Sequence, residues 1–391
     1  MKRFSAQYIF TNDGPPLVRG IVTTGDDGTI VSVEDTGGSL PELHSTGFYN
    51  GIIIPGFVNC HCHTELSYMH GKIAPGTGLG GFLSSLTGLR SSFAGDPLKA
   101  IEAADRKMSD EGVVLCADIC NSTHSFSTKQ KSRIRYISLL EVFGIDPGAA
   151  EKRMNDIEKV ALSAGEHKLE WYIVPHSVYS VSAPLFRLIR DITKSNRVTS
   201  VHFIESEDEK QLVGTSTGNL MDAYRHILNP SAVIMPVADH VSAVTEEITS
   251  SGNLILVHNT FISADEVEKL KSRKNLFYCL CPGSNRFISN SVPPARLLKD
   301  KGCEIAIGTD SLSSNDRLDM VHEIRILQEE FPDISLEILV KWATLGGAKA
   351  LSYENEFGRI KPGTKPGLVL ISDADLNEMK LLPSSKSVRL I

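Results

Sequence analysis

The chain has 391 residues, of which 41% are hydrophobic and 22% are charged, which is the composition of an ordinary globular protein. This length suits either two domains or one barrel with additions. The formal net charge is −7 and the isoelectric point is about 6.0. Because the sequence has no basic stripe, it argues against nucleic-acid binding through phosphate contacts.

The thiols and the start of the chain point to the cytoplasm. The segment from Met1 to Ala6 lacks the apolar core of a secretory leader, and no apolar run is long enough to span a membrane. The seven cysteines are an odd number spread along the chain, which is typical of reduced thiols. The sequence therefore predicts a cytoplasmic protein with no membrane contact.

Two Cys-x-Cys pairs, Cys60 with Cys62 and Cys279 with Cys281, raise the alternative of a four-thiolate metal site. Structural zinc ligands are usually spaced more widely than this. In strands, these cysteines would also face away from the neighbouring His61 and His63. We interpret the four cysteines as small, packed core residues, and the sequence assigns them no further role.

The two ends of the chain consist of short predicted strands. The N-terminal segment contains strands at Phe4–Phe10, Leu17–Thr24 and Thr29–Val33, with a turn at Asp26-Asp27-Gly28 and no helix. Past Ala350 the same pattern returns, with strands at 368–371 and 386–390. We expect the two ends to pack together as one small β-sandwich.

Between these ends, eight apolar runs rich in β-branched residues alternate with stretches of helical periodicity. The runs are Ile52–Asn59, Gly112–Ile119, Ile134–Val142, Leu169–Pro175, Val198–Ile204, Asn253–Val257, Leu276–Cys281 and Cys303–Ile307. The predicted helices cover residues 97–111, 148–164, 183–195, 263–273, 291–301 and 316–331.

Strands that alternate with helices predict a parallel sheet, and eight such units predict an α/β fold of the (β/α)8 barrel type. The alternative, an open doubly wound sheet, would need a glycine-rich phosphate loop after an early strand, and the sequence has no such motif. The expected organisation is a β-sandwich part at 1–50, a catalytic barrel at 51–352 and the second β-sandwich part at 353–391.

Two connections between predicted strands are long. Residues 64–96 contain the glycine-rich stretch Pro75–Gly81, and residues 205–252 carry additional helical pattern. Long loops at the carboxyl end of a barrel are where substrate pockets are built. We expect both connections to border the site.

The most informative stretch is PGFVNCHCHTELS, in which His61 and His63 follow a strand with one residue between them. Side chains at i and i+2 of a strand point to the same face, so the two imidazoles are placed side by side. Imidazole suits zinc, iron, copper or nickel. A single pair of this kind also occurs by chance on surfaces, so the rest of the chain has to decide its meaning.

Further polar residues stand at the ends of the other predicted barrel strands, which is where barrels carry their chemistry. They are His176, His202, Glu205, His258, Ser284, Asn285, Arg286 and Asp310. Packing alone does not account for this distribution. Six other histidines we interpret as core or surface residues: His70, His124, His167, His226, His240 and His322.

Each of these candidates also has a structural interpretation. His176, His202 and His258 are open to the general alternative of a hydrogen-bonded core histidine. Asp310 is also placed to cap the helix that follows it. Glu205 is also the first charge of the acidic run Glu205–Glu209, most of which we expect to be a solvated loop.

Taken in order, the motifs of this sequence resemble the amidohydrolase superfamily, in the branch that holds chlorohydrolases and purine-type deaminases. The motifs are PGFVNCHCHTELS, VPHSVYSVS, VHFIESEDE, LVHNT, CPGSNRFI and GTDSLSSNDRLDM. The resemblance covers nearly the whole chain, and it implies a metal-dependent hydrolase barrel with a β-sandwich made from both chain ends.

The resemblance implies one divalent metal held by His61, His63, His202 and Asp310. Binuclear relatives place a carboxylated lysine at the end of strand 4, where this sequence has Pro175-His176, so a mononuclear site is expected. Three nitrogens and one carboxylate oxygen fit zinc, and iron(II) is also compatible.

The resemblance also implies how the site works. The metal makes hydroxide available at neutral pH, and Asp310 takes the proton of the water. His258 orients that water, while Glu205 protonates a ring nitrogen of the substrate and then the leaving group. His176 is expected to touch the substrate, and Ser284, Asn285 and Arg286 are a polar lining.

The stretch HCHTELS followed by PGTGLGGFL is most similar to aminodeoxyfutalosine deaminase-like proteins, which implies a small-molecule substrate of the aminopurine nucleoside type and the release of ammonia. Adenosylhomocysteine, methylthioadenosine and guanine deaminases are near alternatives. A chlorohydrolase or a cyclic-amide hydrolase with the same site stays open, as does a non-catalytic metabolite-binding barrel. A homodimer is suggested by analogy only.

Overall fold

The computed structural model describes residues 1–39, 46–227 and 239–391. The two ends of the chain form one seven-stranded sheet in the order β15-β14-β5-β1-β3-β4, with β2 paired to β1. Its strands are β1 (Lys2–Ile9), β2 (Leu17–Val18), β3 (Ile21–Thr24), β4 (Ile30–Glu34), β5 (Thr46–Pro55), β14 (Leu368–Asp375) and β15 (Lys380–Arg389). The predicted association of the two ends is confirmed.

β5 is the strand that joins the two ends, because it pairs in parallel with β1 and antiparallel with β14. The contact with β14 requires a glycine at position 51. Gly51 has φ +140°, and a side chain there would clash with the carbonyl oxygen of Ile371. Such a conformation is readily adopted by glycine alone.

The barrel consists of two runs of four parallel strands, β6-β7-β8-β9 and β10-β11-β12-β13. The strands are β6 (Phe57–Cys62), β7 (Val113–Cys120), β8 (Arg135–Val142), β9 (Glu170–Pro175), β10 (Val198–Phe203), β11 (Asn253–His258), β12 (Leu276–Leu280) and β13 (Glu304–Ile307).

Two hydrogen-bonded contacts join these runs into a closed barrel. On one side the His202 N–H donates to the His176 carbonyl at 2.8 Å. On the other side the Asp310 N–H donates to the His61 carbonyl at 3.0 Å, beside the bridge between Cys62 and Asp310. The predicted (β/α)8 fold is thus confirmed, and both seams consist of proposed site residues.

Six helices follow the predicted pattern, although several are shorter than expected: α2 (Leu98–Asp110), α4 (Ala150–Glu166), α5 (Ala183–Thr193), α9 (Ala264–Leu270), α11 (Ala295–Asp300) and α12 (Met320–Glu330). The others are α1 (Gly78–Ser92), α3 (Phe126–Lys131), α6 (Glu207–Thr215), α7 (Asn219–Ile227), α8 (His240–Glu247), α10 (Pro282–Ser289), α13 (Leu336–Lys341) and α14 (Gly347–Ala350). Short 3₁₀ turns cover Thr64–Met69 and Pro147–Ala149, and a π turn covers Trp342–Gly346.

One predicted barrel strand differs from the structure. The run Ile52–Asn59 is not one barrel strand, since the sheet strand β5 ends at Pro55 and β6 begins at Phe57. Pro55 has no N–H for a further sheet bond, and a side chain at Gly56 would collide with Val114. The long connection 205–252 carries α6, α7 and α8, and its residues 228–238 lie outside the described part of the chain. The division at residues 50 and 352 stays a prediction.

All seven cysteines are free, and six of them are buried. Cys60, Cys279 and Cys281 pack in one apolar cluster with Val58 and Ile255 of neighbouring barrel strands.

Among the described residues, no helix has both the length and the apolar character needed to cross a membrane.

A buried ion pair joins β7 to α3 and contacts the segment that follows His63. The Lys129 ammonium lies 2.6 Å from an Asp118 carboxylate oxygen, and neither side chain is exposed beyond 1%. Asp118 also accepts hydrogen bonds from the Thr64 N–H and hydroxyl, both at 2.7 Å. Burial alone would lower the pKa of Lys129, but the adjacent Asp118 charge raises it above its ordinary value.

Replacing Lys129 with methionine is expected to lower the free energy of unfolding by about 3–5 kcal/mol, because the Asp118 charge stays buried without its partner. Urea unfolding followed by far-UV circular dichroism measures this. The matched control is Lys152→Met, which breaks the exposed helical pair with Asp156 and is expected to change stability by less than about 1 kcal/mol. Equal effects of the two variants would contradict the prediction.

Candidate active site

The carboxyl ends of the barrel strands bring together five imidazoles and three carboxylates, all of them buried except one half-buried imidazole, that of His176. The group contains His61, His63, His176, His202, His258, Glu141, Glu205 and Asp310. Seven of these eight residues were proposed from the sequence, and Glu141 was not. Because parallel strands end at the same edge of the barrel, residues far apart in the chain meet here.

His61, His63 and Asp310 form the first half of the site. The Nε2 atoms of the two histidines are 3.1 Å apart, and Asp310 Oδ1 lies 3.4 Å from His63 Nε2 and 3.7 Å from His61 Nε2. In β6 the pairing with β7 shifts by one residue between Asn59 and Cys62, which marks a β-bulge at the two residues between them. Bulges re-aim side chains beside active sites.

His202, His258 and Glu205 form the second half. His202 Nδ1 lies 2.9 Å from His258 Nε2. The Glu205 Oε2 atom lies 3.9 Å from His202 Nδ1 and 3.8 Å from His258 Nε2. The ring centroids of His61 and His202 are 4.9 Å apart, so the two halves are in contact.

Hydrogen bonds from neighbouring loops hold these groups. The hydroxyls of Ser284 and Ser314 donate to Asp310 Oδ2 at 2.6 and 2.9 Å. Asn285 Nδ2 lies 3.1 Å from His258 Nδ1. Ser284 and Asn285 are both buried at the start of α10, so they contact site residues.

Of the two other residues proposed as substrate contacts, His176 lies in the site and Arg286 lies at the surface. His176 stacks on His202 with ring centroids 4.5 Å apart, and its Nδ1 lies 2.8 Å from the Ser180 hydroxyl. The Arg286 side chain is 42% exposed and pairs with Glu329 of α12 at 3.5 Å. The substrate roles of these residues stay predictions, and for Arg286 the structure shows a surface ion pair.

Glu141, near the end of β8, is the site residue that the sequence analysis missed. Its Oε1 atom lies 3.4 Å from His202 Nε2, and its Oε2 accepts from Asn121 Nδ2 at 3.1 Å. Burial alone would raise the pKa of Glu141, but the imidazoles of His176 and His202 hold it below its ordinary value. The available signal was a carboxylate between the apolar residues Leu140 and Val142 near the end of a strand, and a buried charge needs a partner.

Several strand ends are held in the left-handed backbone region, which non-glycine residues rarely adopt. Ile204, His258, Asn259 and Asp310 have φ values of +48°, +75°, +57° and +57°. Strained backbone of this kind clusters at functional sites, where the surrounding structure fixes it. As a result, the chain turns sharply at the ends of β10, β11 and β13, where these site residues lie.

Burial decides the ionisation of most groups in the site. It lowers the pKa of His61, of His63 to about 3 and of His258, so these imidazoles are neutral at pH 7. Burial also lowers the pKa of His202, but the adjacent Glu141 carboxylate outweighs this and raises it to about 9. Burial raises the pKa of Glu205 to about 8.

The donor set fits a divalent metal ion. Two overlapping groups, His61 with His63 and Asp310, and His61 with His202 and His258, have ligand atoms within 4.8 Å of one another. Two nitrogens bound to one tetrahedral zinc at about 2.0–2.1 Å would be about 3.3 Å apart, close to the observed separation of His61 and His63. Neutral imidazole is the form that binds metals, which is the form of His61, His63 and His258 here, and a metal at His202 would displace the proton that Glu141 favours. The structure therefore contains a histidine-rich site suited to a metal.

A closed (β/α)8 barrel with such a donor set at its carboxyl end is the arrangement of a metal-assisted barrel enzyme. Residues 52–389 match the model of the amidohydrolase family, and the chain belongs to that family. It is a hydrolase that acts on carbon–nitrogen bonds other than peptide bonds, as the sequence predicted.

Three similar proteins have a named function. The chain is 28% identical over 331 residues to an adenosine deaminase of Helicobacter pylori, covering 81% of this chain and 78% of the relative. It is similar to the structure of Helicobacter pylori aminofutalosine deaminase in complex with methylthio-coformycin, at 23% identity, TM-score 0.82 and full coverage of both chains. It also resembles an adenosine deaminase from Xanthomonas campestris with bound zinc, at 20% identity and TM-score 0.70, covering 97% and 86% of the two chains.

Proposed function

We propose that this chain is a metal-dependent deaminase that hydrolyses the amino group from the adenine ring of a nucleoside and releases ammonia. The observation that carries the proposal is the position of Glu205. Its carboxyl lies 3.8–3.9 Å from His258 and His202, at the same barrel end as the His61, His63 and Asp310 donors. A proton donor beside a metal donor set is what removal of a ring amino group requires.

The proposed metal ligands are His61, His63, His202 and Asp310, with one ion per chain. Three nitrogens and one carboxylate oxygen suit zinc, and iron(II) is compatible. When bound, such an ion lowers the pKa of water so that hydroxide is available at neutral pH. Glu141, through its contact with His202 Nε2, holds the orientation of that imidazole, as carboxylates behind metal-binding histidines do.

The proton movements are assigned to three residues. Asp310 accepts the proton of the attacking water, and the hydroxyls of Ser284 and Ser314 fix its second oxygen. His258 orients the water, with its own ring held by Asn285. Glu205 donates its proton to a ring nitrogen, which makes the amine-bearing carbon electrophilic. Its carboxylate then takes the remaining proton of the added hydroxyl and passes it to the departing amine, and the proton accepted by Asp310 is released as Glu205 is protonated again.

The substrate is proposed to be an adenine nucleoside of the adenosine or aminodeoxyfutalosine type. Support comes from similar proteins named adenosine deaminase and aminofutalosine deaminase, the second solved with methylthio-coformycin. His176, which stacks on His202 at the mouth of the site, is proposed to touch the purine. The substrate and its contact with His176 are the binding interactions proposed here. Assembly of the chain into a homodimer stays a prediction.

The test is ammonia release by the purified protein after metal analysis. A panel of adenosine, 5′-deoxyadenosine, methylthioadenosine and aminodeoxyfutalosine is expected to yield ammonia from at least one compound, with about one metal per chain. Guanosine and a chlorinated triazine serve as comparisons. Ammonia from none of the adenine compounds by fully metal-loaded protein would reject the proposal, and release of chloride would point to the alternative leaving group.

A further inference from the structure

The backbone is strained at Ile204, the residue directly before Glu205 in the turn after β10. This residue has φ +48° and is completely buried. The left-handed region is a genuine outlier for a β-branched side chain, because its Cβ substituents crowd the backbone. Such a conformation persists only where neighbouring groups hold it.

Glu209 is the group that holds this turn. One of its carboxylate oxygens accepts from the Ile204 N–H at 2.9 Å, and the other accepts from the Glu205 N–H at 2.7 Å. The Glu209 side chain has no exposed surface. Charge-assisted bonds of this length in a buried setting are among the stronger hydrogen bonds in proteins.

The arrangement departs from an ordinary helix cap. Ser206 caps α6 by accepting from the Glu209 N–H at 3.0 Å, and in a capping box the glutamate at this position returns to the N–H of the cap residue. In α9 this happens, since Glu266 accepts from the Ser263 N–H at 2.7 Å. In α6 the glutamate reaches past the cap to the two preceding N–H groups.

A second residue supports Glu209 from α8. His240 is 4% exposed, and its Nε2 atom lies 3.0 Å from Glu209 Oε1. The edge of the His240 ring also contacts Phe203, the last residue of β10. The Glu209 carboxylate is therefore fixed from two directions, by the turn that it holds and by the helix behind it.

We propose that Glu209 is a positioning residue for the deamination reaction: it locks the Ile204–Glu205 turn and so fixes the Glu205 carboxyl against His202 and His258. This inference rests on the role proposed above for Glu205. Glu209 touches no reacting atom. Without its two backbone bonds, Ile204 relaxes toward an ordinary conformation and the Glu205 side chain leaves its place.

The first test compares Glu209→Gln with Glu266→Gln, which alters the glutamate of the other Ser-x-x-Glu cap. A glutamine offers one acceptor oxygen and turns its amide N–H₂ toward a backbone donor. A misplacement of about 1 Å at a reacting group can cost about 100-fold, so kcat of Glu209→Gln is expected to fall by about 10- to 100-fold. KM and metal content should stay within about twofold, and Glu266→Gln should keep the activity of the unaltered protein.

The double variant Glu205→Gln/Glu209→Gln separates positioning from general damage. If Glu209 acts only through Glu205, the double variant is no slower than Glu205→Gln alone. If the two losses multiply, Glu209 acts elsewhere and the proposal is wrong. An unchanged kcat in Glu209→Gln overturns it as well.

Hydrogen exchange gives a readout that does not depend on activity. The Ile204 and Glu205 amides should exchange at least about tenfold faster in Glu209→Gln than in the unaltered protein, while β11 keeps its protection. If the unaltered protein releases no ammonia, the proposed function is rejected. The hydrogen-exchange measurement would still show whether Glu209 holds the Ile204–Glu205 turn. If Glu209→Gln does not fold, Glu209→Asp decides: its shorter carboxylate cannot reach both N–H groups, so a folded variant with unchanged exchange and kcat overturns the proposal.

Discussion

Replacing His63 with alanine is expected to remove the bound metal and, with it, the activity. The variant should retain less than about one tenth of a metal ion per chain, because one of the four proposed donors is lost and the affinity falls accordingly. We expect kcat/KM to fall by more than about 1,000-fold, since a metal supplies several kcal/mol to the transition state and each 1.36 kcal/mol is tenfold. Elemental analysis and ammonia release measure the two quantities.

The control for this variant is His124→Ala, which removes an exposed imidazole outside the site and should leave both quantities unchanged. Circular dichroism of both variants reports whether the barrel is intact. Removal of the metal from the unaltered protein with a chelator should reproduce the loss, and zinc should restore it. Full metal occupancy in His63→Ala would show that the ligand set is assigned wrongly.

Much of the barrel was predictable because its strands are covered on both faces. Such strands appear in the sequence as continuous apolar runs, and the last polar residue of each run lies at the carboxyl end of the barrel. His202 follows the apolar segment of β10, and Asp310 follows β13 after a Gly-Thr pair. The alternation of these runs with helices was enough to indicate the fold and the edge at which the site forms.

Other features of the site depend on contacts that the linear pattern does not carry. Glu141 is a charged residue between Leu140 and Val142 of β8, and its contact with His202 joins two strands, β8 and β10, that are not paired with each other. The bulge in β6 near His61 shows only when β6 is paired with β7. Glu209 was interpreted as part of a solvated acidic run, although it has no exposed surface.

The acidic run Glu205–Glu209 shows why residue type and position alone were insufficient here. The residues at both ends of the run are buried and those in the middle are exposed or half-buried, because the chain passes from the turn after β10 into α6 within it. Glu207 faces solvent in the first turn of α6, where a negative charge favours the helix dipole. Glu205 and Glu209 are buried, so glutamates within five positions of the chain lie in different surroundings that residue type alone does not reveal.

Replacing Glu205 with glutamine is expected to lower kcat by about 100- to 10,000-fold, the range that a positioned general acid–base group contributes. Glutamine keeps the size of the side chain but cannot give up or accept a proton at the ring nitrogen. Metal content should be unchanged because Glu205 is not among the proposed ligands, and KM should change by only a few-fold. Steady-state ammonia release and elemental analysis of the same preparation measure these effects.

The matched control is Glu207→Gln, which removes the same charge two residues away from an exposed position. If the acidic run acts only through its overall charge, the two variants should behave alike. If Glu205 is the proton donor, only its replacement slows the reaction, and the pattern of unchanged metal with reduced kcat separates it from His63→Ala. A Glu205→Gln enzyme within about tenfold of the unaltered rate would fall below the lower limit for such a group, and another residue would have to supply the proton.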